Sequence, residues 1–349
     1  MKIERQTMAT PIGRVTYFTI TNNAGARVVL SELGAGIISL VVPDSNGKPA
    51  DVVIGYSDAA SYIGDGPCAG KTPGRYANRI AAGHLCIDNN EYRLPINNGP
   101  NHLHGGPDGF QNQIWHGETL NDDTVVFSLE SPDGDSGYPG ILSTKVTYKW
   151  DDQCRLTITY EATTDRDTVV NLTNHTYWNL AGHNAGKDAA MAHELTLECS
   201  RWLPTDSTLV PTGELSPVAG TPMDFTQPKP VGRDINADFQ ALRYGKGYDN
   251  CWVADSFDGE IHHIATLRDP KSGRRLDILT DQPAAQVYTG NWLTGSPLGK
   301  DGTEYSDYCA IAIECQGFPD APNQPSFPSQ LVTPSHPYLR HIIFELSAS

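Results

Sequence analysis

The sequence predicts an all-β protein, a large antiparallel β-sandwich, on three observations. Short alternating segments rich in Thr, Val, Ile and Tyr recur along the chain. The 33 glycines and 25 prolines are dispersed through 349 residues instead of clustering, which means many turns. Helical periodicity is scarce, with Asp238 to Arg243 long enough only for a turn or two.

The elements follow in chain order. Val28, Val29 and Leu30, then Ile37 through Val42, read as early strands, and Thr124 through Leu129 as a third. Residues 144–150 and 155–160 alternate and are joined by the polar connection Asp151-Asp152-Gln153-Cys154, so they are expected to form a hairpin. Residues 193–198 and 341–346 repeat the pattern. No Pro- or Ser-rich linker and no fixed-period repeat interrupts it, which favours a sandwich over a propeller or solenoid and a single domain over residues 1–349. The long Pro-, Thr- and Gly-rich stretch from 204 to 234 is expected to run over a sheet and rim a cleft.

With 41 acidic against 25 basic residues the net charge is -16, which repels phosphate backbones and anionic membranes; no nucleic-acid or membrane partner is expected. Met1 to Gln6 carry no apolar leader, and no run of about 18 apolar residues occurs. The seven cysteines are odd in number, scattered and without a C-x-x-C, as expected of reduced thiols in a cytoplasmic protein.

Several segments could carry chemistry. In residues 171–180, strand alternation would put Asn171, Thr173, His175 and Tyr177 on one face. That face fits either a solvated surface or a grip on a polar ligand. Residues 64–72 superficially resemble a phosphate loop, but Asp65 stands where glycine is required and Pro73 follows at once, so a glycine-rich surface turn is expected. Alternation would place Arg75, Ala77 and Arg79 together. His102 and His104 could chelate a metal from one strand face, but no third ligand lies nearby, and the expectation is no metal, with one histidine in a site and the other supporting it. In residues 308–315, Ile311 and Ile313 point to a core while Ala310, Ala312 and Glu314 share the other face, leaving a lone carboxylate above small side chains. Asp249 and Gln286 lie in aromatic or apolar settings, fitting either turn residues or hydroxyl-binding groups.

Taken together, Gly74 to Ile80, Leu103-His104-Gly105-Gly106, residues 171–180, Tyr248-Asp249-Asn250, residues 286–291 and residues 314–322 resemble the aldose 1-epimerase (galactose mutarotase) family, in the family's order. The resemblance implies a galactose mutarotase-type β-sandwich with an open cleft and no cofactor. It implies Glu314 as general base, His175 as general acid, His104 as a second active-site histidine, and Asn78, Arg79, Asp249 and Gln286 as holders of sugar hydroxyls. Residues 68–73 match no family pattern. The expected activity is interconversion of the anomers of a free monosaccharide such as galactose or glucose, by a monomer or homodimer.

The residue types suit that chemistry. Ring opening removes the C1 hydroxyl proton and protonates the ring oxygen; a glutamate, ordinarily near about 4.3, can take the first proton, and a histidine, near about 6.5, can give the second if a neighbouring acid keeps it partly charged. A hexose 6-phosphate mutarotase would need a cationic cluster beyond Arg75 and Arg79, and a glycosidase would need two carboxylates. A non-catalytic sugar-binding protein would not need a matched acid and base.

Overall fold

The computed structural model describes residues 1–349. Strands dominate, and only two short α-helices occur, Gly186–Met191 and Gln240–Gly245. A nine-stranded antiparallel sheet runs in the order His116–Asn121, Thr124–Ser131, Leu142–Trp150, Arg155–Thr164, Tyr338–Ala348, Arg274–Thr280, His262–Arg268, Glu194–Leu197 and Lys229–Pro230. A six-stranded sheet runs Tyr177–Trp178, Ile311–Gln316, Ala284–Tyr288, Asp249–Val253, Arg201–Leu203 and Ser216–Pro217. The N-terminal strands, from Lys2–Thr10 to Pro49–Asp51, form a five-stranded meander.

The expected hairpin is present: Leu142–Trp150 pairs with Arg155–Thr164, Val146 opposite Tyr160. Its alternation has a direct cause, since Leu142, Val146, Tyr148 and Trp150 turn inward to the core while Ser143, Lys145 and Lys149 are exposed. That core is one cluster of 54 buried residues between the sheets, fed from the other side by Ile311, Ile313, Cys315, Val287 and Trp252. Trp178 and Phe344 meet edge to face across it, with ring centroids 5.0 Å apart. Burying each such large apolar side chain contributes roughly 1.5–3 kcal/mol, so this interface fixes the six-stranded sheet from below. Its opposite face is free to carry polar groups.

Two expectations are corrected. Residues 171–176 are not a strand; the strand begins only at Tyr177–Trp178. They run as an irregular buried segment beside residues 70–77: Asn171 N donates to Arg75 O at 2.9 Å, and Ala77 N to Asn171 O at 2.7 Å. Alternation presupposes a solvent side, and a segment buried on both sides has none. The glycine-rich surface turn expected over residues 64–72 holds only in its first part, for Gly64 and Gly66 are exposed whereas Cys68 through Thr72 are buried.

Candidate active site

The cleft-facing side of the six-stranded sheet is set by register. Tyr177, Ala312, Tyr288 and Asp249 lie in one cross-strand row, and Glu314 stands opposite Gln286 in the next. Ala310 and Ala312 do not floor this space as the sequence pattern implied: both are buried in an apolar cluster with Tyr177 and Leu293, and of that face only Glu314 reaches the cleft. Loops complete a cleft of about 620 Å³, bringing Asn78, Arg79, Asn98, His104, His175, Thr208, Leu209 and Trp292 to its walls. Residues 207–209 belong to the long excursion expected to rim a cleft, and they do so.

The structure places Asn78, Arg79, His104, His175, Asp249 and Glu314 on the cleft, with Gln286 directly behind Asp249. His175 Nε2 is 3.4 Å from Glu314 Oε1, and both side chains are almost fully buried. Gln286 Nε2 donates to Asp249 Oδ1 at 2.7 Å, while Asp249 Oδ2 lies 3.6 Å from an Arg79 guanidinium nitrogen. Arg79 Nε in turn donates to Asn98 Oδ1 at 3.1 Å. Asp249 and Gln286 are therefore strand residues in a polar chain rather than turn residues. The buried Glu314 Oε2 and Gln286 Oε1 have no hydrogen-bond partner within the protein. Buried acceptors of this kind are stabilised when a ligand brings hydroxyl donors.

His104 is held differently. Its backbone is left-handed at φ 53°, which ends the His102–Leu103 strand and swings the two histidines apart. His102 bonds Tyr138 Oη and Pro95 O, each at 2.7 Å, inside the wall. His104 turns into the cleft, its ring centroid 5.4 Å from that of His175. Its Nδ1 accepts from Asn78 N–H at 3.0 Å, so in the neutral ring the proton sits on Nε2, facing the cleft as a donor. The ligand atoms of His104, His175 and Glu314 all lie within 4.8 Å of one another, the one cluster with the spacing of a metal site. Metal-binding histidines usually donate from the other ring nitrogen, however, and His104 accepts there, so the donor set fits hydrogen bonding better than ligation.

Burial governs the electrostatics. It pushes the Glu314 carboxyl well above the usual carboxylate range, with Asp249 adding to the effect and Arg79 opposing it. Burial also holds His175 down at about 4, its own backbone hydrogen bond opposing and Lys71 reinforcing. His104 is held well below its ordinary value by burial first, then by His175 and Arg79. The expectation that a neighbouring acid keeps His175 partly charged is thus corrected: desolvation is the largest influence on both groups, and the pair favours two neutral groups.

Arg75 is the other departure. Instead of sharing a face with Arg79, its buried guanidinium donates to Ser131 Oγ and to the carbonyls of Ser131, Pro132, Pro139 and Gly140, at 2.9 to 3.0 Å. It ties a distant loop and leaves the cleft without a cationic cluster. Sequence reasoning also missed Asn98 and Tyr244 as cleft residues. Their local sequence carries no distinguishing pattern.

A buried acid–histidine pair in a polar cleft on an antiparallel β-sandwich defines a protein built to bind a small hydroxyl-rich ligand. The chain belongs to the aldose 1-epimerase family: the family model described as Aldose 1-epimerase matches residues 16–345. It is similar to the galactose mutarotase of Homo sapiens, 40% identical over 323 residues that cover 93% of this chain and 92% of the relative. It is 37% identical to the aldose 1-epimerase of Escherichia coli (strain K12) over 311 residues, 89% of this chain and 88% of that one. Among solved structures, a GalM/aldose epimerase homologue from C. elegans superposes with a TM-score of 0.87 at 32% identity, covering 99% of each chain.

Proposed function

We propose that this protein interconverts the α and β anomers of free aldohexoses such as galactose and glucose, with Glu314 as general base and His175 as general acid. The observation that carries this reading is the 3.4 Å approach of His175 Nε2 to Glu314 Oε1. The C1 hydroxyl oxygen and the ring oxygen share one carbon, so the groups that serve them must stand side by side. The relatives named galactose mutarotase and aldose 1-epimerase support the same reaction class.

The steps balance without a cofactor. The reactive form is the ion pair, reached from the favoured neutral pair when the Glu314 proton passes to His175 across the 3.4 Å gap. Glu314 carboxylate then takes the proton from the C1 hydroxyl, the O–H electron pair forms the carbonyl, the bond from C1 to the ring oxygen breaks, and the ring oxygen takes the proton from His175 imidazolium. The open-chain aldehyde turns about C1–C2, and the reverse transfers close the ring on its other face. Ring opening converts the ion pair into two neutral groups, which is the form burial favours. Because closure restores the ion pair, burial favours opening and opposes closing to the same extent. Each positioned acid or base supplies about 10²- to 10⁴-fold, and the two together less than the product because they act as a unit.

His104 presents Nε2–H to the developing charge, and Asn78, Arg79, Asp249 and Gln286 hold hydroxyls. We assign the site to a single domain over residues 1–349, acting as a monomer or homodimer in the cytoplasm. The seven free thiols support a reducing compartment, and no helix of the structure is long and apolar enough to cross a membrane. Polarimetry on freshly dissolved α-D-galactose or α-D-glucose tests the activity: the protein should speed the approach to equilibrium, and a rate equal to that of buffer refutes it.

A further inference from the structure

Residues 65–71 carry a buried ion pair that the reaction does not use. Lys71 Nζ contacts Asp65 Oδ1, and neither side chain is exposed. Nζ also donates to Tyr62 O at 2.8 Å and Asn112 Oδ1 at 3.4 Å, while Asp65 Oδ2 accepts from Ala69 N at 2.9 Å and Tyr56 Oη at 3.1 Å. Taking both charges out of water offsets much of their attraction, so stability alone is a weak account of such a pair. Its placement offers a better one.

The chain closed by this pair grips His175 from both sides. Gly70 N donates to His175 O, and His175 N donates to Lys71 O, each at 2.9 Å. Asn174 Nδ2 adds a bond to Gly70 O at 2.9 Å. Tyr177, whose ring centroid is 4.9 Å from that of His175, donates from its hydroxyl to Pro67 O at 2.9 Å. Gly70 itself is pressed against the strand Gly36–Pro43, for a Cβ there would fall 1.9 Å from Ile37 O. Both the main chain of His175 and the ring beside it are thus anchored to one short segment.

We propose that the Lys71–Asp65 pair is the positioning element for His175, locking residues 65–71 so that the imidazole stays aligned with Glu314 and the sugar ring oxygen. The inference rests on the reading of His175 as proton donor. Lys71 lies behind the histidine and touches no substrate. The charged and titratable groups facing His175 on the cleft side are Glu314, His104, Tyr177 and Tyr288; Lys71 faces it from the other side and disfavours the imidazolium.

The test is Lys71→Met in the full chain, with kcat and KM measured by polarimetry and the His175 ring titrated by NMR. Displacing the donor should lower kcat by about tenfold to a hundredfold while KM stays within about twofold, and loss of the ammonium should raise the titration of His175. The double variant Asp65→Leu/Lys71→Met replaces the pair with apolar groups and guards against misfolding from an orphaned carboxylate; it should show the same kcat loss with a smaller titration shift, because the opposing charge of Asp65 is lost with that of Lys71. An active wild type whose folded variants keep wild-type kcat, or lose kcat only with a matching rise in KM, overturns the positioning role alone. An inactive wild type overturns the functional reading and this inference with it.

Discussion

Replacing Glu314 by glutamine separates the chemistry of the site from its cost to the fold. The substitution keeps size and shape opposite Gln286, at a position only 2% exposed, and removes only the carboxylate. Loss of a positioned base lowers kcat by about 10²- to 10⁴-fold, or roughly 3 to 5 kcal/mol of transition-state stabilisation. KM should change little, because the amide still occupies the floor of the cleft.

Stability should move the other way. Burial raises the Glu314 carboxyl above its ordinary value, so above that ordinary value the folded chain holds a proton that the unfolded chain has released. The folded state then binds more protons than the unfolded one, and stability falls as pH rises, by about 1.4 kcal/mol for each pH unit in which this holds. Glu314→Gln removes that loss. Thermal unfolding should give the variant a higher Tm than wild type at pH 7 and nearly the same Tm at pH 4. A variant that retains kcat within about threefold refutes the base assignment. One whose Tm difference does not widen between pH 4 and pH 7 refutes the burial argument.

Three further outcomes are expected. His175 titrates at about 4 in the folded chain against an ordinary 6.5, so the unfolded state binds more protons between those values and stability is lost as pH falls through that window, by up to about 3 kcal/mol; urea unfolding of His175→Gln at pH 4.5 and 7 should show a flatter dependence than wild type. Asp249→Asn leaves Gln286 Nε2 its acceptor but removes the charge 3.6 Å from Arg79, and polarimetric kinetics should show KM raised by about tenfold with a smaller change in kcat. Gly105→Ala would put a Cβ 1.8 Å from Gly74 O at a φ of +77°, so it should destabilise the fold by about 2 kcal/mol or more and displace His104; a Tm equal to that of wild type would contradict this.

What the sequence revealed of this architecture depended on burial being one-sided. Leu142–Trp150 has a core face and a solvent face, and the period of two reports it; Ile311–Gln316 is buried on both faces, and there the pattern is carried by apolar Ile311 and Ile313 alternating with small and polar Ala312 and Glu314. The segment 171–176 defeats the same reasoning, because it is buried on all sides and its hydrogen bonds go to residues 70–77, about a hundred positions away. His175 was found there by motif and not by face; Asn171 shares no face with it and instead ties Ala77 O and Gly317 N, at 3.0 and 2.7 Å. Arg75 and Arg79 show the limit most clearly. Four positions apart, one guanidinium enters the wall and the other the cleft, and only distant partners decide which.

The same nonlocality explains why the acid–base pair has the electrostatics it does. Glu314 arrives on a regular strand with a packed core beneath it, whereas His175 arrives on irregular chain held by other loops. Neither local sequence encodes desolvation; that arises only when the two are brought together under the walls formed by residues such as Asn78, His104 and Leu209. Once closed, the environment penalises the imidazolium–carboxylate form and favours the two neutral groups, the state that ring opening produces. A more open cleft would relieve the burden on stability and raise the share of the ion-pair form. Mutations that widen the walls without touching either residue should therefore bring the titrations of Glu314 and His175 back toward their ordinary values together, a coupled change that removal of a single contact would not produce.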